Sequence, residues 1–87
     1  MESNSEKRKK EIDPKHLILL NKIGERMKEL RKLQGFKNYE MFAYQKELPR
    51  AQYGKYEGGK SDMTLTNLMK VLDALDITLE DFFKGIK

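Results

Sequence analysis

Cysteine is absent from all 87 residues, so neither a disulfide framework nor a thiolate zinc site can form. That suits a reducing compartment. The single histidine, His16, sits near a helix start and reads as an exposed, non-catalytic residue. The acidic residues Asp73, Asp76, Glu80 and Asp81 are accounted for by helix caps and a solvated face. Neither catalysis, a metal site nor a cofactor is expected. Long apolar runs are missing too: Leu17-Ile18-Leu19-Leu20 is a run of four, where a membrane span needs about 18. Met1 to Lys10 is polar and charged, without the apolar stretch of a secretory signal, so the expected location is cytoplasmic. No alternation of polar and apolar residues is sustained, so no strand is expected.

What is abundant is charge. Charged residues make up 37% of the chain against 38% hydrophobic, so a core can form only if the apolar residues are concentrated on helix faces. At this length there is room for one core. Residues 1–61 hold 15 Lys/Arg and 9 Asp/Glu, a balance of +6; residues 62–87 hold 3 and 5, a balance of −2. The basic part is expected to face a polyanion and the acidic end to face away.

Residues 1–13 read as a disordered basic arm carrying Lys7-Arg8-Lys9-Lys10, and residues 14–87 as one domain. Asp13-Pro14 is a helix start, with Asp as N-cap and Pro in the first turn. The first helix is predicted to run to Gln34, with Leu20, Ile23, Met27 and Leu30 on its apolar stripe and Gly35 as its stop. Asn38 is expected to cap a short second helix over 39–46, with Phe42 and Ala43 inward. Leu48-Pro49 marks a break. A third helix follows, to Tyr56 or Glu57, with Leu48, Tyr53 and Tyr56 inward and Arg50, Ala51, Gly54 and Lys55 outward. Gly58-Gly59 stops it. Thr64 is expected to cap a fourth helix with Leu65, Leu68, Met69, Leu72 and Leu75 on its apolar face. Thr78-Leu79-Glu80-Asp81 resembles a capping box that starts a fifth, with Phe82 and Phe83 inward.

Two short helices joined by a tight turn, over Asn38 to Gly59, fit a helix-turn-helix. The segment Ile23-Gly24-Glu25-Arg26-Met27-Lys28-Glu29-Leu30-Arg31 resembles the first helix of Cro/C1-type (XRE) regulators. Tyr53-Gly54-Lys55-Tyr56-Glu57-Gly58-Gly59-Lys60 is similar to the end of that family's recognition helix, and Leu68 to Phe83 to its last two helices. The resemblance covers about residues 20–84 in one register. It implies an all-α, compact five-helix lambda-repressor-like DNA-binding domain.

The resemblance also implies roles. Arg31 is expected to pair with Glu57, clamping the first helix to the third. The base-reading positions fall on Arg50, Ala51 and Lys55, with Gln52 nearby. Arg50 suits guanine, Ala51 a thymine methyl, Gln52 adenine (or a half-buried place), and Lys55 a base or a phosphate. Phosphate contacts are expected from Asn38 and Tyr39 and, on the far side, from Gly58, Gly59 and Lys60. Five features depart from the family pattern. The loop after Gly35 is one residue longer than usual, and Pro49 replaces a Ser/Thr N-cap. Tyr39 replaces a usual Gln, Glu47 replaces the turn glycine, and Gly54 lies inside the recognition helix, where its missing side chain suits close approach to the DNA backbone.

Leu17, Ile18 and Leu19 decorate an extra turn at the start of the first helix. With Phe83 and Ile86 they are candidates for a homodimer contact. The expected function is sequence-specific regulation of transcription on double-stranded DNA, most simply repression by operator occupancy. Two other readings fit the same sequence: the antitoxin of a toxin–antitoxin pair, which would also bind a toxin protein, and a protein-interaction module without DNA binding.

Overall fold

A computed structural model describes residues 11–86. The Lys7–Lys10 cluster of the proposed arm lies outside the described residues. The elements are α1 (Pro14–Leu33), α2 (Tyr39–Gln45), α3 (Arg50–Gly58), α4 (Leu65–Leu75) and α5 (Leu79–Lys84), with no strand among the described residues.

The helix starts follow from their caps. Asp13 accepts from the Lys15 N–H, Asn38 from Met41 (2.8 Å), Thr64 from Asn67 (3.0 Å) and Thr78 from Asp81 (3.1 Å). Each side chain satisfies a backbone donor that its helix leaves unpaired. Only α3 starts without such help: Pro49 stands at its N-cap position and makes no side-chain cap bond.

Three helix ends share one geometry. After α1, α2 and α4 a residue with positive φ turns the chain: Gly35 (96°), Glu47 (58°) and Asp76 (57°). In each case the next N–H reaches back five residues, Phe36 to Arg31, Leu48 to Ala43 and Ile77 to Leu72, the Schellman arrangement. Glu47 and Asp76 adopt this left-handed conformation with a full side chain, which glycine would occupy without strain.

The core is Ile23 and Met27 of α1, Phe42 and Ala43 of α2, Tyr53 and Tyr56 of α3, Leu68, Val71, Leu72 and Leu75 of α4, and Phe82 of α5. Phe42 is its hub, edge-on to Phe36 at 5.3 Å and tilted against Tyr53 at 5.1 Å. On α4 the buried face is rotated from the expected one. Leu65 and Met69 are exposed, and Val71 is buried in their stead. Phe83 is only half-buried.

Two long side chains tie helix ends together. Arg26 of α1 donates to the Asp81 and Phe82 carbonyls of α5, and Gln34 donates to the Leu75 carbonyl that ends α4. Both occupy acceptors that a helix C-terminus leaves open.

Candidate nucleic-acid interface

The second and third helices are joined by four residues, Lys46 to Pro49, and α3 keeps an exposed outer side. Tyr53, Tyr56 and Glu57 are buried, at i, i+3 and i+4. That spacing confines them to one stripe of the helix. Arg50, Ala51, Gln52, Lys55 and Gly58 lie outside it and are exposed. The groove beside this face is lined by Ala51, Gln52 and Lys55 of α3, by Lys60 and Asp62, and by Ile12. Ile12, read from sequence as part of the arm, is half-buried there.

Behind this face lies a buried ionic knot. Arg31 donates from Nε and Nη2 to the two carboxylate oxygens of Glu57, both at 2.8 Å, and from Nη1 to the Phe36 carbonyl at 2.9 Å. Tyr53 donates its hydroxyl to the same carboxylate at 2.5 Å. Both charged side chains are 5% exposed. The hydrogen bond from Arg31 to Glu57 pushes the guanidinium pKa up, although burial opposes it. Burial, and then the Glu57 carboxylate, push the Tyr53 hydroxyl pKa up as well. The knot anchors α1, the α1–α2 loop and α3 at one point, and so sets the direction in which Arg50 and Lys55 project.

Three glycines define distances. Gly24 is buried in α1 and lies against the last turn of α3. Gly59, expected to touch phosphate, is instead buried: it has φ 76° and packs on Asn21 of α1, and its N–H is taken by the Tyr56 carbonyl at 3.0 Å. It stops α3 and offers no donor to a ligand. Gly54 is half-buried, and the Tyr39 ring fills the space that a side chain there would take. Of the other expected phosphate positions, Gly58 and Lys60 are exposed. Asn38 is exposed too, though its side-chain oxygen is committed to the α2 cap.

The helix-turn-helix family pattern matches residues 27–82, which contain α2, the turn, α3 and α4. The chain belongs to the helix-turn-helix family, in its Cro/C1-type branch. Control protein C.MunI from a Mycoplasma species is 38% identical over 66 residues, 76% of this chain and 89% of that protein. The crystal structure of the restriction-modification controller protein C.AhdI from Aeromonas hydrophila has a TM-score of 0.68 at 35% identity, over 78% of this chain and 97% of that one. The plasmid copy control protein CopR of Streptococcus agalactiae is 36% identical over 50 residues, 58% of this chain and 54% of that protein. Members of this family are DNA-binding transcriptional regulators, and this helix-turn-helix chain is one of them. Among the described residues no helix is long and apolar enough to cross a membrane.

The Arg31–Glu57 geometry, the two inward tyrosines and the caps were all open to sequence reasoning. The Tyr53 hydroxyl on Glu57, the Arg26 and Gln34 ties, and the close approach at Gly24 were missed. The i, i+4 spacing of Tyr53 and Glu57 was the one available signal. The ties join residues 41 and 56 positions apart, a separation with no local signature.

Proposed function

We propose that this regulator is a sequence-specific repressor that acts by occupying an operator. The observation that carries the reading is the exposure of Arg50, Ala51, Gln52 and Lys55 on one short rod held from behind by Tyr53, Tyr56 and Glu57. A helix of this diameter enters the major groove. Arg50 pairs with guanine O6 and N7, Gln52 with adenine, Ala51 meets a thymine methyl, and Lys55 reaches a base or phosphate. Lys60, Gly58 and Asn38 hold the flanking backbone.

The working unit in this reading is a two-fold dimer. Ile18 and Leu19 are exposed apolar residues on the first turns of α1, and Leu17, Phe83 and Ile86 are half-buried. A two-fold contact through these residues would place two copies of α3 on successive major-groove faces, about 34 Å apart. Control of a restriction-modification system, the role stated in the name of C.AhdI, is the genetic setting we assign by similarity.

Selection of binding sites from random duplex DNA tests the reading. The expected result is an inverted repeat with half-sites about one helical turn apart, together with a sedimentation mass of two chains at tens of micromolar. No enriched sequence at low salt would overturn the regulator reading, and a one-chain mass would overturn the dimer.

A further inference from the structure

Every nitrogen of the Arg26 guanidinium has an acceptor, and two of the three acceptors are on α5. Nε donates to the Phe82 carbonyl at 3.1 Å, Nη2 to the Asp81 carbonyl at 3.2 Å and Nη1 to the Glu29 carboxylate at 3.2 Å. The cation also lies over the Phe82 ring, 6.0 Å from its centroid. Its side chain is 17% exposed. A helix C-terminus carries partial negative charge and open carbonyls, so a cation suits this place.

Gly85 makes room for it. A Cβ at residue 85 would stand 2.5 Å from Nη2 and 2.6 Å from Nε of Arg26, and closer still to Cζ. The backbone there does not call for glycine: φ is −81° and ψ is 0°, values that any L residue adopts in a turn. The residue is also exposed. The three atoms nearest to such a side chain all belong to the guanidinium.

α5 is six residues long, too short to hold itself. Phe82 seats its middle in the core, while Phe83 and Ile86 are only half-buried. On α1, Ile18, Lys22 and Arg26 follow one another at i, i+4 and i+8, which is one stripe of a helix. Gly85 and Ile86 line a groove against that stripe, together with Asn21, Lys22 and Arg26. Arg26 thus keeps the end of α5 beside the turn of α1 that follows Ile18.

We infer that Arg26 and Gly85 form a latch that holds the end of α5 on α1, and so positions Phe83 and Ile86 with Ile18 as one docking face for a second copy of this chain. This rests on the dimer reading above. Arg26 acts on the partner through α5, as a positioning residue. A chain whose α5 end is loose must order it before it can pair, which lowers the apparent affinity by the fraction latched. Both copies carry this cost, so a latch closed about a tenth of the time raises the dimer dissociation constant about 100-fold.

The test uses the full chain. Sedimentation equilibrium gives the dimer constant, and two duplexes are titrated, one with a single half-site of the selected sequence and one with the whole inverted repeat. Arg26→Ala removes the donors, and Gly85→Ala keeps them but fills their place. Each is expected to raise the dimer dissociation constant about 10- to 100-fold and to weaken binding to the inverted repeat. Each should bind the single half-site within about twofold of wild type, since α3 is untouched. A general loosening of the fold would not produce that split. Adding Gly85→Ala to Arg26→Ala should raise the constant no further, because the methyl then enters an empty place.

If Arg26→Ala does not melt cooperatively, Gly85→Ala, at an exposed position, carries the test. Three results overturn the inference. One is a dimer constant within about twofold of wild type in both single variants. Another is losses that multiply in the double variant. The third is an equal loss on the single half-site, which would make Arg26 a general scaffold residue. A wild-type mass of one chain at tens of micromolar overturns the dimer reading, and this inference with it.

Discussion

Gly24 of α1 lies against the Tyr56 carbonyl of α3 so closely that a Cβ on it would sit 2.7 Å from that oxygen. The Glu57 carbonyl oxygen is at the same distance, and the Glu57 carbonyl carbon at 3.1 Å. These are backbone atoms at the end of a helix and cannot swing aside. Gly24→Ala should therefore push α1 and α3 apart. The cost of such overpacking is about 1–3 kcal/mol, which outweighs the helix-propensity gain of about 1 kcal/mol. A thermal melt should show a midpoint several degrees lower, and an unchanged or raised midpoint would contradict the close approach.

Breaking the Arg31–Glu57 pair from one side should be far worse than removing both charges. Glu57→Ala leaves a guanidinium buried without its carboxylate, at a cost of about 3–5 kcal/mol. Arg31→Met combined with Glu57→Leu leaves no buried charge and should recover most of that loss. Urea midpoints of the single and double variants check this. A double variant as unstable as the single would show that the knot contributes more than mutual neutralisation.

Alkaline pH should weaken the fold through Tyr53. Unfolded, this hydroxyl ionises near its ordinary value, about 10. Folded, it holds its proton higher, because burial and the Glu57 carboxylate both oppose the phenolate. Above pH 10 the folded chain thus binds more protons than the unfolded one, and stability falls as pH rises. Below pH 10 the contribution is fully present. Tyr53→Phe should have a flatter stability profile above pH 10 than wild type, and an equally steep one would exclude Tyr53 as the source.

The turn between α2 and α3 contains a removable strain. Glu47 holds φ at 58° with a side chain, a conformation that costs an L residue about 1–2 kcal/mol. Glu47→Gly relieves it, although the unfolded chain gains entropy. The net expectation is a rise of about 0.5–1 kcal/mol in stability, read as a higher melting midpoint, with duplex affinity not reduced.

On the reading face, Arg50→Ala and Lys60→Ala should fail in different ways. Loss of a bidentate guanine contact costs about 1–3 kcal/mol on the best site and relaxes preference at one base pair. Loss of a phosphate contact weakens all duplexes alike and flattens the salt dependence by about one. Affinity against salt for selected and unrelated duplexes separates the two. Identical behaviour of the variants would sink the division of roles.

Much of this architecture was legible because its causes are local. Asn38, Thr64 and Thr78 cap helices through bonds to N–H groups three residues away, so composition and spacing reveal them. Phe42, Ala43, Tyr53 and Tyr56 were readable as inward because their helices are short and flanked by clear breaks. What escaped depends on the neighbouring helix. Val71 is buried while Leu65 and Met69 are exposed, because the docking angle of α4 decides which apolar stripe faces the core. Gly54 and Gly59 were read as facing DNA, whereas the Tyr39 ring fills the side-chain space of one and the other packs on Asn21. A glycine announces a close approach without saying what approaches.

The closed Arg31–Glu57–Tyr53 knot separates two responses that surface charges would have coupled. Mobile ions compete for the exposed cations of α3 but scarcely screen a pair sealed from water. Rising ionic strength should therefore strip this protein from a duplex long before it loosens the scaffold. The released molecule keeps its reading surface assembled, ready to re-engage as soon as the salt is diluted.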